Sequence, residues 1–162
     1  MTALRYAYVI ALVVWLGGMI TIAGVVAPAT FSALERVEPD VGRSRAATVV
    51  GEVLRRFHVV SYVAAAVLLA TLIGMKVVGP RPIDFSRRLL IVSTMLAATV
   101  VSGVIVDPAI ARRRDALGVP VASLAPSDPR RADFARLHAM STTLLGIGVV
   151  GGLILCYWET RE

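Results

Sequence analysis

Several residue types are scarce in this chain of 162 amino acids, and each scarcity narrows the possible functions. The single cysteine, Cys156, excludes an intrachain disulfide, and nothing in the chain requires an oxidising compartment. The sequence has no CxxC pair, no phosphate-binding glycine loop and no nucleophile elbow. It also has no pair of carboxylates within an apolar run. A hydrolase or a nucleotide-dependent enzyme therefore has no support.

Hydrophobic residues are abundant instead, at 57% of the chain, with a mean hydropathy of +0.76. They form four apolar runs at about 6–27, 57–78, 88–107 and 136–158, each near the length that spans a bilayer. The charged residues lie between these runs, as the high cost of a charge at mid-bilayer demands. The net charge of +6 comes from basic residues that flank the runs. This placement predicts a lipid bilayer as the partner, not a nucleic acid.

The chain contains one segment twice, at an offset of 80 residues. Leu54-Arg-Arg-Phe-His-Val-Val-Ser61 matches Phe134-Ala-Arg-Leu-His-Ala-Met-Ser141, and the pairs Arg56/Arg136, His58/His138 and Ser61/Ser141 are identical. Each histidine follows a proline, Pro28 or Pro108, by 30 residues. We therefore predict an all-α integral membrane four-helix bundle. It is built from two parallel helical-hairpin repeats, about 4–79 and 84–158, in a single four-span domain.

Local signals predict where the four helices begin and end. Proline, glycine and N-capping residues mark the breaks. The predicted breaks are Glu38-Pro39-Asp40, Gly79-Pro80-Arg81-Pro82, Gly118 with Pro120, and Asp128 with Pro129. The first helix is expected over Thr2–Val37 with a kink at Pro28, and the second begins at about Val41. The third begins near Asp84, and the fourth runs to about Trp158.

The distribution of lysine and arginine predicts the orientation. The first and third loops with their flanks carry eleven basic residues, whereas the opposite side carries six. The positive-inside bias places loops 1 and 3 in the cytoplasm and both termini outside. We expect the protein to be integral to a bacterial inner (cytoplasmic) membrane.

His58 and His138 are the only histidines and the first candidate site. Both are predicted at the cytoplasmic end of their spans, facing the bundle interior at the same depth. Helices 2 and 4 are diagonal in a four-helix ring, about 13 Å apart by normal helix packing. That gap is too wide for a direct hydrogen bond but suits a metal centre held by both rings. The predicted cofactor is haem b with two histidine ligands, with copper as the alternative. The simpler interpretation is that each histidine bonds a serine, a carbonyl or water.

Three arginines near the histidines, Arg55, Arg56 and Arg136, are candidates to pair with haem propionates, or alternatively with lipid phosphates. Asp107 stands where the first repeat has Ala27. It is either a proton acceptor near the histidines or an interfacial residue bonded near the proline kink or to Arg112.

Several segments together resemble one known family. They are Trp15-Leu-Gly-Gly-Met19, Val26-Ala-Pro-Ala-Thr-Phe31, the Asp107-Pro108 helix end and Phe134-Ala-Arg-Leu-His138-Ala-Met-Ser141. They are similar to the transmembrane-protein-205-like domain, a four-span domain of unsettled function. The resemblance implies a multi-pass membrane protein and, in animals, an association with metal-drug tolerance. It implies no catalytic residues. A more distant likeness, mainly in topology, is to small four-helix proteins of copper resistance and haem biosynthesis.

Three functional hypotheses follow. The protein binds haem or copper between His58 and His138 for membrane redox chemistry. Alternatively, it is an accessory or scaffold subunit that packs through its Gly and Ala faces against other subunits or further copies of itself. The third hypothesis is a small permease with a path along the pseudo-twofold axis.

Overall fold

The computed structural model describes residues 2–79, 84–119 and 121–161. Four long helices make up almost all of this part of the chain. They are α1 (Thr2–Val37), α2 (Gly42–Val78), α3 (Phe85–Leu117) and α4 (Pro129–Glu159). A single 3₁₀ turn, Val121–Ser123, lies in the connection before α4. The predicted helix limits are confirmed to within about one residue. Pro80, Arg81 and Pro82 of the predicted second loop, and Pro120 of the third, lie outside the described residues.

The helix ends have the local chemistry that the sequence predicts. The side chain of Asp128 accepts a hydrogen bond from the backbone N–H of Arg130 at 2.9 Å, and Pro129 occupies the first helical position. Asp128 is therefore the N-cap of α4. Pro129 follows at a position where a backbone N–H would have no partner within the helix, so its missing N–H costs no hydrogen bond. At the end of α3, Gly118 has φ 63°, the left-handed conformation that terminates helices and that glycine adopts without strain.

The four helices form a closed ring in which α1 packs on α2 and α4, and α3 packs on α2 and α4. All four are long and apolar enough to cross a membrane. The predicted fold, an all-α four-helix membrane bundle, is therefore confirmed. We call the end that holds the α1–α2 and α3–α4 connections the loop end, and the end that holds both chain termini the terminal end.

Large apolar side chains fill the interior of the ring at mid-height. Trp15 and Met95, which occupy equivalent places in the two repeats, are both almost fully buried, as expected for core residues. Two glycines four residues apart in α4 let α1 approach closely: a Cβ on Gly148 would lie 2.7 Å from Met19 Sδ, and one on Gly152 would lie 2.9 Å from Leu16 Cδ1.

Both repeats contain a π-helical turn at equivalent places, Ile22–Val26 in α1 and Ser102–Val106 in α3. The N–H of Ala27 bonds the carbonyl of Ile22, and the N–H of Asp107 bonds the carbonyl of Ser102. The wider turn ends two positions before each proline, whose ring would otherwise crowd the carbonyl four residues earlier. The prolines thus act through a π turn of the same register in each repeat, which supports the duplication.

A buried ion pair ties three helices together at the terminal end. Arg88 of α3 is 1% exposed and bonds the carboxylate of Glu159 of α4. Arg5 of α1 lies 3.4 Å from the same carboxylate, and the guanidinium of Arg88 also lies over the ring of Tyr8. Because both charges of the Arg88–Glu159 pair are largely removed from water, loss of either partner is expected to be costly.

Candidate functional site

A polar cluster lies in the seam between α2, α3 and α4, towards the loop end. Its members are His58 and Tyr62 of α2, Ser102, Gly103 and Asp107 of α3, and Ser141 of α4. At 1.5 Å per residue, His58 is about 30 Å along α2 from Val78, which is the thickness of a bilayer's hydrocarbon core. The cluster therefore lies near one hydrocarbon boundary if the terminal end lies at the other.

The carboxylate of Asp107 is at the centre of the cluster. The hydroxyl of Ser141 donates a hydrogen bond to its Oδ1 at 3.1 Å, across the contact between α3 and α4. The hydroxyl of Ser102 lies 3.4 and 3.5 Å from the two carboxylate oxygens. Both hydroxyls act as donors to the carboxylate oxygens. The π turn brings this about, because Ser102 opens it and Asp107 immediately follows it.

His58 faces the same carboxylate from α2. Its Nδ1 lies 2.7 Å from the carbonyl oxygen of Leu54, and its Nε2 lies 3.6 Å from Oδ2 of Asp107. A carbonyl oxygen only accepts hydrogen bonds, so Nδ1 carries a hydrogen. If Nε2 were unprotonated, its lone pair would face an anionic oxygen, which is repulsive. The contact is attractive only when the pair shares a further proton, on the imidazole or on the carboxyl group.

Close packing holds the histidine ring in this position. A Cβ on Gly103 would lie 2.7 Å from Cδ2 of His58 and 2.7 Å from the hydroxyl oxygen of Tyr62. The rings of His58 and Tyr62 are 6.3 Å apart. The His58 side chain is 12% exposed and that of Asp107 is 24% exposed, so the pair is largely enclosed but still reachable. Only glycine at position 103 leaves room for both rings.

The expectation that both histidines face the interior holds for His58 and is wrong for His138. His138 is exposed and lines a surface cavity near the start of α4. The difference follows from the residue that each ring would meet in a symmetric bundle. Asp107 attracts His58, whereas the equivalent position in the first repeat is Ala27, which offers no polar atom on its side chain.

The three candidate arginines lie on exposed surface. Arg55 and Arg56 both hydrogen-bond to Glu52, at 2.8 and 2.7 Å through their Nε atoms. Arg136 is exposed on α4. Their predicted role beside a cofactor gains no support from this geometry, since two of the three are engaged by a carboxylate on their own helix.

A metal or haem held by both histidines would need their rings to converge on one site. His58 and Asp107 are two ligand types that share one site, but His138 lies on the outer surface and not across from His58. Within the described residues, no group of three or more His, Cys, Asp or Glu side chains converges. The arrangement thus does not fit a ligand bridging both histidines.

Sequence reasoning found His58 and considered Asp107 but missed Ser102, Gly103 and the role of Ser141 in binding the carboxylate. A signal was present, because the repeats differ here: Ser102, Gly103 and Asp107 replace Ile22, Ala23 and Ala27. The second repeat therefore has polar or smaller residues at three positions where the first repeat does not, which indicates a site in the second repeat alone.

The ring of four apolar helices and the enclosed histidine–carboxylate pair define a multi-pass helical membrane protein with an ionisable site in one seam. A family model described as "Domain of unknown function (DUF4149)" matches residues 10–118, and the chain belongs to that family. The matched region includes His58, the π turns and Asp107, but not Ser141. No match was found among curated proteins or among solved structures.

Proposed function

We propose that the protein is a small permease that carries protons across the membrane, with proton binding at the His58–Asp107 pair coupled to a change in the contact between helices. The observation that carries the proposal is the 3.6 Å contact between Nε2 and Oδ2, made by a ring whose Nδ1 is already committed to Leu54. Burial of an ionisable group in a membrane bundle costs free energy, so such a group is expected to have a function. Here a basic side chain, His58, and an acidic one, Asp107, meet in one seam.

The chemistry of the pair supplies the coupling. With a proton on Nε2, the imidazolium attracts the Asp107 carboxylate and holds α2 against α3. Once the proton leaves, a lone pair faces the carboxylate and the attraction is lost. Proton uptake and release therefore change the contact between two helices that belong to different repeats. This is the step that a proton-coupled permease requires.

A proton-flux experiment tests the proposal. The purified protein is reconstituted in liposomes that contain a pH-sensitive dye, and a potassium diffusion potential drives proton entry. We expect flux above that of protein-free liposomes, and its loss in H58Q and in D107N. H138Q is the matched control, because the same side-chain change at the exposed repeat-equivalent histidine should leave the flux unchanged.

Two outcomes would contradict the proposal. One is wild-type flux no greater than that of protein-free liposomes. The other is equal loss in H58Q and H138Q, which would indicate a general effect of removing a histidine and not the Asp107 contact.

The other predictions have separate tests. Haem b or copper bound between His58 and His138 would give the purified protein a visible spectrum that both H58A and H138A abolish. A scaffold role would give stoichiometric co-purifying subunits or a homo-oligomer. The resemblance to the transmembrane-protein-205-like domain and the cytoplasmic position of loops 1 and 3 likewise stay predictions. The second can be measured by labelling of engineered cysteines on either side of the membrane.

A further inference from the structure

A second candidate site lies on the outer surface at the loop end and shares no residue with the polar cluster. It is a partly open cavity of about 470 Å³ between the start of α2 and the start of α4. Its lining combines three basic or ionisable side chains with three apolar ones. They are Arg43, Arg131, His138, Val121, Phe134 and Ala135.

The positive charge at this cavity is only partly neutralised by the groups around it. Nη1 of Arg131 donates to the carbonyl oxygen of Leu124 at 3.1 Å, a neutral acceptor that leaves the charge of the guanidinium in place. Arg43 bonds the carboxylate of Glu35 at 3.0 Å, so its charge is balanced. A guanidinium has five N–H donors, and the bond to Leu124 uses one of them. Arg131 thus has donors and charge to offer to an anion.

The apolar part of the lining and its height indicate what sort of anion fits. Phe134, Val121 and Ala135 give the cavity an apolar wall next to the cationic groups. His138 and the enclosed His58 are repeat equivalents, so the cavity lies near the same hydrocarbon boundary as the polar cluster. A phospholipid presents this combination at this depth: a phosphate at the headgroup level and apolar chain below it.

We propose that this cavity binds the phosphate headgroup of an anionic phospholipid, with Arg131 as the main anchor and His138 and Arg43 beside it. Charge-assisted hydrogen bonds to the phosphate account for the basic side chains of the lining. Packing of the lipid chain against Phe134 accounts for the apolar ones. The proposal does not depend on proton coupling at His58.

The duplication strengthens the assignment. In the first repeat, Gly51 stands where Arg131 is and Leu54 stands where Phe134 is. The cationic anchor and the aromatic wall therefore occur in the second half alone at these positions. The two histidines of the repeat have diverged, one towards an interior carboxylate and the other towards a surface cavity.

Native mass spectrometry of the protein in a neutral maltoside detergent tests the proposal. Phosphatidylglycerol and phosphatidylcholine of equal chain length are added in parallel, with inorganic phosphate as a competitor. We expect preferential binding of one phosphatidylglycerol and about tenfold weaker binding in R131Q, the effect of losing one charged hydrogen-bonding group. R136Q, the same change on the same helix outside the cavity, should bind like the wild type.

H138Q and R43Q provide independent variants in case the loss of the Arg131–Leu124 bond disturbs the connection before α4. Each should weaken phosphatidylglycerol binding more than R136Q does. Equal binding of the two lipids would overturn the proposal, and so would equal losses in R131Q and R136Q. Displacement of the lipid by inorganic phosphate at equal concentration would overturn the lipid assignment, because it would mean that the lipid chain contributes nothing.

Discussion

Nε2 of His58 lies 3.6 Å from Oδ2 of Asp107, and the position equivalent to Asp107 in the first repeat is Ala27. One aspartate is therefore enough to break the symmetry of the duplicated bundle. It draws in the histidine of the other repeat and the serine of its own, since Ser141 donates to it at 3.1 Å. Within the part of the chain that the structure describes, the hydroxyl of the matching serine, Ser61, bonds the carbonyl of Phe57 on its own helix, at 3.0 Å.

The fit around Gly103 predicts a sensitive position. In G103A, the new methyl group would lie 2.7 Å from Cδ2 of His58, so the ring and Tyr62 must move. We expect a loss of about 1–3 kcal/mol of stability, as for other overpacked sites. The imidazole ¹⁵N resonances of His58 should also shift in NMR spectra, while those of His138 stay in place. G24A, which adds a methyl where no atom lies within 4 Å, is the control; an unchanged His58 signal in G103A would contradict the packing.

The corner between α1 and α2 gives a second prediction. A Cβ on Gly42 would lie 2.1 Å from the carbonyl oxygen of Leu34, which is backbone and cannot move aside cheaply. G42A should therefore open the corner and lower the unfolding midpoint in a detergent or SDS titration. In the same helix, G51A adds a methyl with no atom within 4 Å and should raise stability by about 0.5–1 kcal/mol through helix propensity. Equal midpoints for the two variants would refute the close approach.

The ion pair at the terminal end gives a third prediction. In E159A, the nearly fully buried Arg88 loses the carboxylate that it bonds, and we expect about 3–5 kcal/mol of destabilisation. The double variant R88M/E159L removes both charges and should recover most of the loss. E52Q is the surface comparison, because Glu52 bonds exposed arginines, and it should change the unfolding midpoint little. If E159A and E52Q unfold alike, the pair does not hold the helices together.

The N-cap of α4 predicts a pH dependence. Hydrogen bonds from the side chain and then the backbone N–H of Arg130 lower the pKa of Asp128. A carboxyl group with a lowered pKa stabilises the fold above its unfolded pKa of about 4, and this stabilisation is lost as the pH falls through the folded value. The difference in melting temperature between wild type and D128N should therefore be constant near neutral pH. It should shrink below about pH 4; a difference that grows in acid would contradict the assignment.

The sequence predicted the helices well because their limits are local. Proline at the first turn of α4, glycine after α3 and a capping aspartate each act within a few residues, and apolar length fixes the spans. Only the kink was described incompletely. A proline predicts a bend, but the resulting π turn depends on how the helix before it accommodates the missing donor.

The site was harder to predict than the helices, for a reason that particular residues make clear. Repetition of His58 and His138 suggested equal roles, since a pattern match records which residue is present and not what it faces. Their environments depend on side chains from other helices, Asp107 of α3 for His58 and Arg43 of α2 for His138. Those partners differ between the repeats. The positions at which the two repeats differ therefore say more about the site than the positions at which they are identical.

The π turn at Ser102–Val106 also sets the rotational phase of the rest of α3. One residue in an α-helix corresponds to about 100° of rotation about its axis. A π turn holds about one residue more than an α turn, so a chain shortened by one amino acid within it would re-form regular α-helix while the side chains that follow keep their direction. Asp107 would then stay in the seam, whereas the same deletion in a regular part of α3 before it would turn Asp107 by about 100°, so the site depends on the phase of α3 as much as on the identity of its residues.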